Sequence, residues 1–368
     1  MASMHPSPVQ RLQNFLRGRR LDGFLVTQPE NRRYLSRYSA PDHGIQESAG
    51  ALLIPRQGTP YLLTDSRFAL QAEEESSGFL VHIYRKGLLP SLKELLPGLG
   101  IRRLGFESHY TLHETYLRLE RMARQSGISL FPLAGQVERL RCVKREEEIS
   151  ALRESVRLNE RVFQLVYNTI EPGMSEREVA LALELTMREL GAEGPSFPPI
   201  VAFGTNSARP HAVPGERILR TGDIVLIDMG LILNGYCSDM TRTVVVGTPD
   251  NTFLRRLRTV RKAQQAAISA IRHGAVCRDV DRAARRVIRD AGYGKYFGHA
   301  LGHGVGLAVH EDPRLSAASR KKLRSGMVVT VEPGIYLPDW GGIRLENMLV
   351  VREKEAELLN SDTTGLDL

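Results

Sequence analysis

The sequence predicts a two-domain α/β protein, with an α/β domain over residues 1–135 and an α+β domain over residues 136–368. Three observations lead there. A length of 368 residues is long for one domain and comfortable for two. The first 135 residues alternate short strand-like and helical runs, as a compact α/β unit does. A long helical stretch then opens a segment dominated by strands. Hydrophobic residues are 42% of the chain and charged residues 25%, which leaves apolar material for two cores.

The elements follow in order. Val9, Leu12, Phe15 and Leu16 form a helical stripe that leads into the strand GFLVT at 23–27. ALLIP (51–55) and YLLTD (61–65) read as strands around a Gln57-Gly58 turn. FALQAEEESS is helical and FLVHIY extended. GFE (105–107), a helix over 111–125 and the strand ISLFPL (128–133) close the first domain, with the boundary in 133–145. Ile149, Leu152, Val156, Phe163 and Val166 stripe a helix over about 146–170, which Pro172 and Gly173 break. Ser175 and Glu178 make a capping box for a helix that runs to Leu190. Strands dominate from Phe197, interrupted by helices near 251–272 and 279–291.

Charge and cysteine usage narrow the function classes. The formal net charge is +8, but the basic residues scatter apart from Arg17, Arg19 and Arg20 and a helix with Arg255, Arg256, Arg258, Arg261 and Lys262. No nucleic-acid motif accompanies them and aromatics are only 6%, so we read a solvated basic surface and no nucleic-acid partner. Cys142, Cys237 and Cys277 lack paired spacing, which fits a reducing compartment. The start of the chain has no apolar signal core, and no apolar run approaches a membrane span; a cytoplasmic protein is expected.

The chemistry begins in VLIDMGLILNGYCSDMTRTVVVG, residues 225–247. Asn234-Gly235 between two β-branched runs predicts a hairpin. With those two residues as the turn, Asp228 faces Thr241 and Gly230 faces Asp239. Asp228, Asp239 and Thr241 then share one face, with room left beside Asp239 by Gly230. Two carboxylates converging in a core repel unless a cation separates them. Glu332 ends the strand GMVVTVEPGIY. In GGIRLENMLVV, Arg344, Glu346 and Met348 alternate onto one face, so each glutamate also has a plain structural reading: Glu332 reaching water, Glu346 paired with Arg344. His299, His303 and His310 fall within GHALGHGVGLAVHEDP, where glycine lets backbone approach a site closely. One of the three is expected to bind metal and the others to face substrate. Four carboxylates and one imidazole suit two divalent ions.

These residues resemble the pita-bread metallopeptidases, the family of methionine aminopeptidase, aminopeptidase P and prolidase. The resemblance rests on Asp228-Met229-Gly230, Asp239-Met240-Thr241-Arg242, His299 to His303 within HxxGHGxG, Val309-His310-Glu311, Glu332-Pro333-Gly334 and Arg344-Leu345-Glu346. It covers essentially the whole chain. TDSRFALQA (64–72) is similar to an element of the creatinase-type amino-terminal domain. RCVKREEEISALRES (141–155) is similar to the helix that leads into the catalytic domain, with Ser155 where many members have alanine. Ala308 stands where many have an acidic residue. The implied fold is a creatinase-type α/β domain followed by a pita-bread α+β catalytic domain.

The resemblance further implies a metal site and a reaction. Asp228 and Asp239 would hold one ion, Asp239, His303 and Glu332 the other, and Glu346 would bridge both. Manganese is favoured, with cobalt, zinc or iron as alternatives. A hydroxide bridging the ions would attack an Xaa-Pro carbonyl, with Glu332 moving a proton. His211, His299 and His310 would face substrate, and Thr241, Arg344 and Tyr336 would support the ligands. The expected partner is a peptide with proline at its second position, and the expected assembly a homodimer. Between aminopeptidase P and prolidase the reading leans to the aminopeptidase. The alternatives are an inactive peptide-binding module on the same fold and a metal-dependent hydrolase or lyase of a small non-peptide molecule.

Overall fold

The computed structural model describes residues 6–361. The chain divides into two compact units between Arg141 and Cys142.

The first unit is built on strands β1 (Gly23–Val26), β2 (Ala51–Pro55), β3 (Tyr61–Asp65), β4 (Leu80–Tyr84), β5 (Arg103–Glu107) and β6 (Ser129–Leu133). They form one sheet in the order β4-β3-β2-β1-β5-β6. The β1–β2 and β2–β3 pairs are antiparallel, and the rest parallel. The helices are α1 (Pro8–Arg19), α2 (Pro29–Ser36), α3 (Ala69–Glu75), α4 (Leu88–Gly98), α5 (His113–Gln125) and α6 (Gln136–Arg141). Leu25, Leu53, Leu63 and Leu104 of the sheet bury in one cluster with Leu92 and Leu96 of α4 and Leu119 and Met122 of α5. That burial explains why the central strands β1 and β2 read as continuous apolar runs.

The second unit opens with α7 (Glu146–Tyr167) and α8 (Glu176–Glu189), the latter started by the Ser175–Glu178 capping box. Strands β7 (Gly194–Pro195), β8 (Ile200–Phe203), β9 (Ile224–Met229), β10 (Leu231–Leu233), β11 (Tyr236–Cys237) and β12 (Met240–Val245) follow. Then come α9 (Asn251–Ala270), α10 (Cys277–Asp290), β13 (Gly302–Gly304), β14 (Glu311–Leu315), β15 (Val328–Val331), β16 (Gly334–Leu337), β17 (Gly341–Arg344), β18 (Asn347–Val351) and β19 (Ala356–Leu358). They make sheets in the orders β11-β10-β7, β12-β9-β8 and β14-β13-β15-β18-β19, and a ribbon β16-β17. Apolar residues of α9 and α10 share a core with Val329, Val331, Ile335 and Ile343 of β15 to β17.

Three features aim these strands at one place. The Asn234-Gly235 turn has both residues at positive φ, 51° and 82°, and pairs Leu233 with Tyr236 and Asp228 with Thr241, the predicted register. The hairpin is held from α7: the Ser155 hydroxyl lies 3.3 Å and 3.1 Å from the carbonyl oxygens of Leu231 and Tyr236, and Asn159 donates to the Met229 carbonyl at 3.1 Å. Serine at 155 is thus a hydrogen-bonding choice that alanine cannot make. Finally, β13 passes so close to its neighbours that a Cβ on Gly302 would lie 2.1 Å from the Thr330 carbonyl oxygen, and one on Gly304 2.3 Å from that of Asp312. The glycines flanking His303 are therefore sterically required.

Two expectations are corrected. The run 341–351 is not one alternating strand. It leaves the β16 ribbon after Arg344 and joins β15 at Asn347, so Glu346 sits at the crossover. There its backbone N–H donates to the Thr241 carbonyl at 3.1 Å and its carbonyl accepts from Arg242 Nη1 at 2.6 Å. Gly230 does not clear space for the Asp239 carboxylate. A Cβ there would meet the Ser238 carbonyl oxygen at 2.1 Å and Ser196 Oγ at 2.3 Å.

Candidate metal centre

The carboxylates lie at or near the ends of strands. Asp228 lies in β9 one residue from its end, Asp239 just ahead of β12, Glu332 just past β15 and Glu346 between β17 and β18. Outside the ladders the side chains of Asp239, Glu332 and Glu346 are free of strand alternation and can turn toward a common centre, while Asp228 reaches it from within β9, opposite Thr241. Asp228, Asp239 and Glu346 are 8%, 4% and 2% exposed. Asp239, His303 and Glu346 each offer a ligand atom within 4.8 Å of the others. His303 Nε2 lies 3.5 Å from Asp239 Oδ2 and 3.4 Å from Glu332 Oε1. The structure therefore brings together Asp239, His303, Glu332 and Glu346, and Asp228 lies near enough for its charge to raise the carboxyls of Asp239, Glu332 and Glu346.

The surroundings orient these groups. Arg344, which is 3% exposed, donates from Nη2 to Asp228 Oδ2 at 2.5 Å, from Nε to Thr241 Oγ1 at 3.1 Å and from Nη1 to the Tyr336 hydroxyl at 2.8 Å. The Thr241 hydroxyl in turn donates to Glu346 Oε2 at 2.7 Å. So the partner of Arg344 is Asp228, and Glu346 is reached only through Thr241. His303 Nδ1 donates to the Gly304 carbonyl at 3.1 Å, which directs Nε2 toward the carboxylates. Sequence reasoning missed Thr330. Its hydroxyl accepts from the His303 backbone N–H at 3.1 Å and lies 3.4 Å from Glu332 Oε1. Its position two before Glu332 in the run VVTVEP puts both on one strand face, a legible signal.

The remaining histidines differ from one another. His310 is exposed and sets its ring edge-on to His303, centroids 4.4 Å apart. His211 is also exposed, on a loop whose Pro210 carbonyl accepts from Arg344 Nη1 at 3.2 Å. His299 is tied at both ring nitrogens. Nδ1 donates to the Ala300 carbonyl at 2.7 Å, and Nε2 accepts from the Tyr336 hydroxyl at 2.9 Å. His299 thus contacts the Tyr336 hydroxyl that Arg344 binds, and its Nδ1 lies 3.9 Å from Glu332 Oε2 with the side chain 25% exposed.

The electrostatics carry the chemical message. Burial, and then the neighbouring carboxylates, push Asp239 and Glu332 well above the usual carboxylate range and Glu346 to about 8. Burial pushes His303 and His299 down to about 4. Asp228 Oδ1 is buried without a protein partner while its other oxygen is bound by Arg344. Four crowded carboxylates, an imidazole nitrogen turned toward them and an orphaned buried oxygen fit divalent cations, which take such hard donors and reverse the mutual repulsion.

A pH prediction follows for chelator-treated protein. Carboxyl groups raised in the folded state hold protons that the unfolded chain releases above about pH 4.5, so their contribution to stability is lost as pH rises toward about 8. The depressed histidines act oppositely, but only below about pH 6.5. Thermal unfolding of the chelated protein should therefore shift downward between about pH 6.5 and pH 8.5, and saturating Mn²⁺ should remove that slope. An identical slope with and without the cation would contradict the reading.

Among the described residues, no helix is long and apolar enough to cross a membrane. Residues 150–353 match the family model for metallopeptidase family M24, and residues 8–143 that for the creatinase/prolidase N-terminal domain. An uncharacterized peptidase of Bacillus subtilis is 38% identical, over 94% of this chain and 95% of its own length. The structure of an Xaa-Pro dipeptidase from Bacillus anthracis superposes with a TM-score of 0.90 at 36% identity, covering 98% of each chain. That of an X-Pro aminopeptidase from Thermotoga maritima gives 0.86 at 34% identity, covering 94% of this chain and 98% of that one. The fold is accordingly a creatinase-type amino-terminal domain followed by an M24 catalytic domain, and the chain belongs to metallopeptidase family M24 as a peptidase.

Proposed function

We propose that this peptidase hydrolyses Xaa-Pro bonds with two divalent cations, Asp228 and Asp239 holding one, Asp239, His303 and Glu332 the other, and Glu346 spanning both. The observation that carries the reading is that Asp239, His303 and Glu346 offer ligand atoms within 4.8 Å of one another and His303 Nε2 lies 3.4 Å from Glu332 Oε1, together with a buried Asp228 oxygen that no protein group satisfies. When bound, such a pair polarises a carbonyl and supplies a hydroxide near neutral pH.

The protein's own groups do the rest. Arg344 and Thr241 fix the directions of Asp228 and Glu346. Glu332 Oε1 is held toward Thr330 and His303, which leaves its carboxyl to take the proton from the attacking water and deliver it to the proline nitrogen. His310 and His211 stand at the exposed side and donate to the developing oxyanion. A bond to proline has no N–H, so a site that reads the carbonyl and the ring shape, through imidazoles, suits this substrate. Tyr336 and His299 keep Arg344 in place.

The likeness to the Xaa-Pro dipeptidase favours a dipeptide substrate over the aminopeptidase leaning of the sequence, and the likeness to the X-Pro aminopeptidase supports the longer substrate as second reading. Turnover of Ala-Pro, Ala-Pro-Ala, Ala-Ala-Ala and acetyl-Ala-Pro-Ala with Mn²⁺ tests both. Ala-Pro should be cleaved fastest, and the last two hardly at all. Faster cleavage of Ala-Pro-Ala selects the aminopeptidase. Equal rates on Ala-Ala-Ala refute proline selectivity, and no turnover of any peptide favours a binding module or a non-peptide substrate.

A further inference from the structure

Lys144 is a buried charge that the chemistry above does not use. Its side chain is 1% exposed, and it meets a Glu311 side chain that is 8% exposed, Nζ to Oε2 at 3.1 Å. Lys144 is itself fixed, since its backbone N–H donates to the Gly326 carbonyl at 2.8 Å. The other Glu311 oxygen, Oε1, accepts from the Ala308 backbone N–H at 3.1 Å. The carboxylate also packs on Gly306, where a Cβ would come within 2.7 Å of both oxygens. One carboxylate thus gathers both ends of the segment 306–311 and presents its outer oxygen to Lys144. That segment carries His310 and is anchored at its start by the bond from Cys237 N–H to the Gly306 carbonyl, 2.8 Å.

A buried ion pair is seldom retained for stability alone, because well-packed apolar residues of the same volume often do as well. A fixed charge does set the direction of a carboxylate, which an apolar side chain cannot. We propose that Lys144 is a positioning residue that acts through Glu311 to hold the loop at 306–311, and with it His310 against His303. The inference rests on the assignment of His310 to the substrate side.

Two readouts test it. In steady-state kinetics on the best Xaa-Pro peptide, Lys144→Met and Glu311→Gln should each lower kcat by about 10- to 100-fold, the usual cost of losing an outer-sphere partner, with KM little changed and manganese content that of the wild type. Combining Lys144→Met with His310→Ala should cost little more than His310→Ala alone, because both act through one group. In hydrogen exchange, amides of 305–311 should open faster in both single variants while those of the hairpin at 224–245 keep their wild-type rates. Glu311→Gln preserves shape and the Ala308 bond, and so covers the case in which Lys144→Met fails to fold. Unchanged kcat, losses that multiply with His310→Ala, or unchanged exchange in 305–311 each overturn the proposal. Should the wild type cleave no Xaa-Pro peptide, the functional reading falls and hydrogen exchange alone still decides this one.

Discussion

Asp239→Ala should abolish cation binding and reduce peptide turnover far beyond the roughly 100-fold typical of losing an outer-sphere partner. Asp239 is, with Glu346, one of the two ligands that both proposed cations share. It is 4% exposed, its backbone N–H points to Met348 Sδ, and its Oδ2 lies 3.5 Å from His303 Nε2. The same substitution removes one of four mutually repelling carboxylates. Burial and Glu346 already hold the Asp239 carboxyl well above its usual range. The chelated variant should therefore unfold at a temperature no lower than the chelated wild type, while the gain that Mn²⁺ gives the wild type disappears. Metal analysis beside thermal unfolding, with and without chelator, reads both effects. A variant that keeps full metal and near-normal turnover would remove Asp239 from the site.

The largest stability effect is expected at Arg344. Its guanidinium is buried and bonds four groups from three separate stretches: Pro210, then Asp228 and Thr241, then Tyr336. Arg344→Met leaves Asp228 as an uncompensated buried charge, and breaking such a pair costs about 3–5 kcal/mol. The loop bearing His211 and the Tyr336–His299 contact lose their anchor together, so activity should fall with stability. Denaturant unfolding of the chelator-treated protein, in which no cation compensates Asp228, checks the first part. A loss below about 1 kcal/mol would mean that Arg344 is an incidental partner rather than the organiser of the ligands.

How much of this was written in the sequence depends on how local the cause is. The Asn234-Gly235 turn alone sets the register that puts Asp228 opposite Thr241, because a two-residue turn leaves no freedom in the count. The Ser175–Glu178 cap and the stripe of α7 are equally local and equally legible. The helices α2 and α4 carry no legible helical pattern in the sequence. The centre of α2 is two arginines, of which Arg32 is fully buried against backbone carbonyls and Asp42. Pro90 and Pro97 stand near the two ends of α4 and mimic loop signals, though proline is tolerated in a first turn. Glu346 shows the limit at the site. Alternation placed it inside a strand beside Arg344, but the chain there changes partners between β16 and β15, a long-range event. The Lys144–Glu311 pair spans 167 residues and leaves no pattern in either segment. The glycines around His303, by contrast, do announce close backbone approach, and the contacts at Gly302 and Gly304 are its cause.

The most direct measurement is diffraction from crystals soaked in Mn²⁺, with data collected at the manganese absorption edge. The account predicts two anomalous peaks a few ångströms apart, one between Asp228 and Asp239, the other among Asp239, His303 and Glu332, with Glu346 touching both. A single peak, or peaks elsewhere while the protein turns over Ala-Pro, would contradict it.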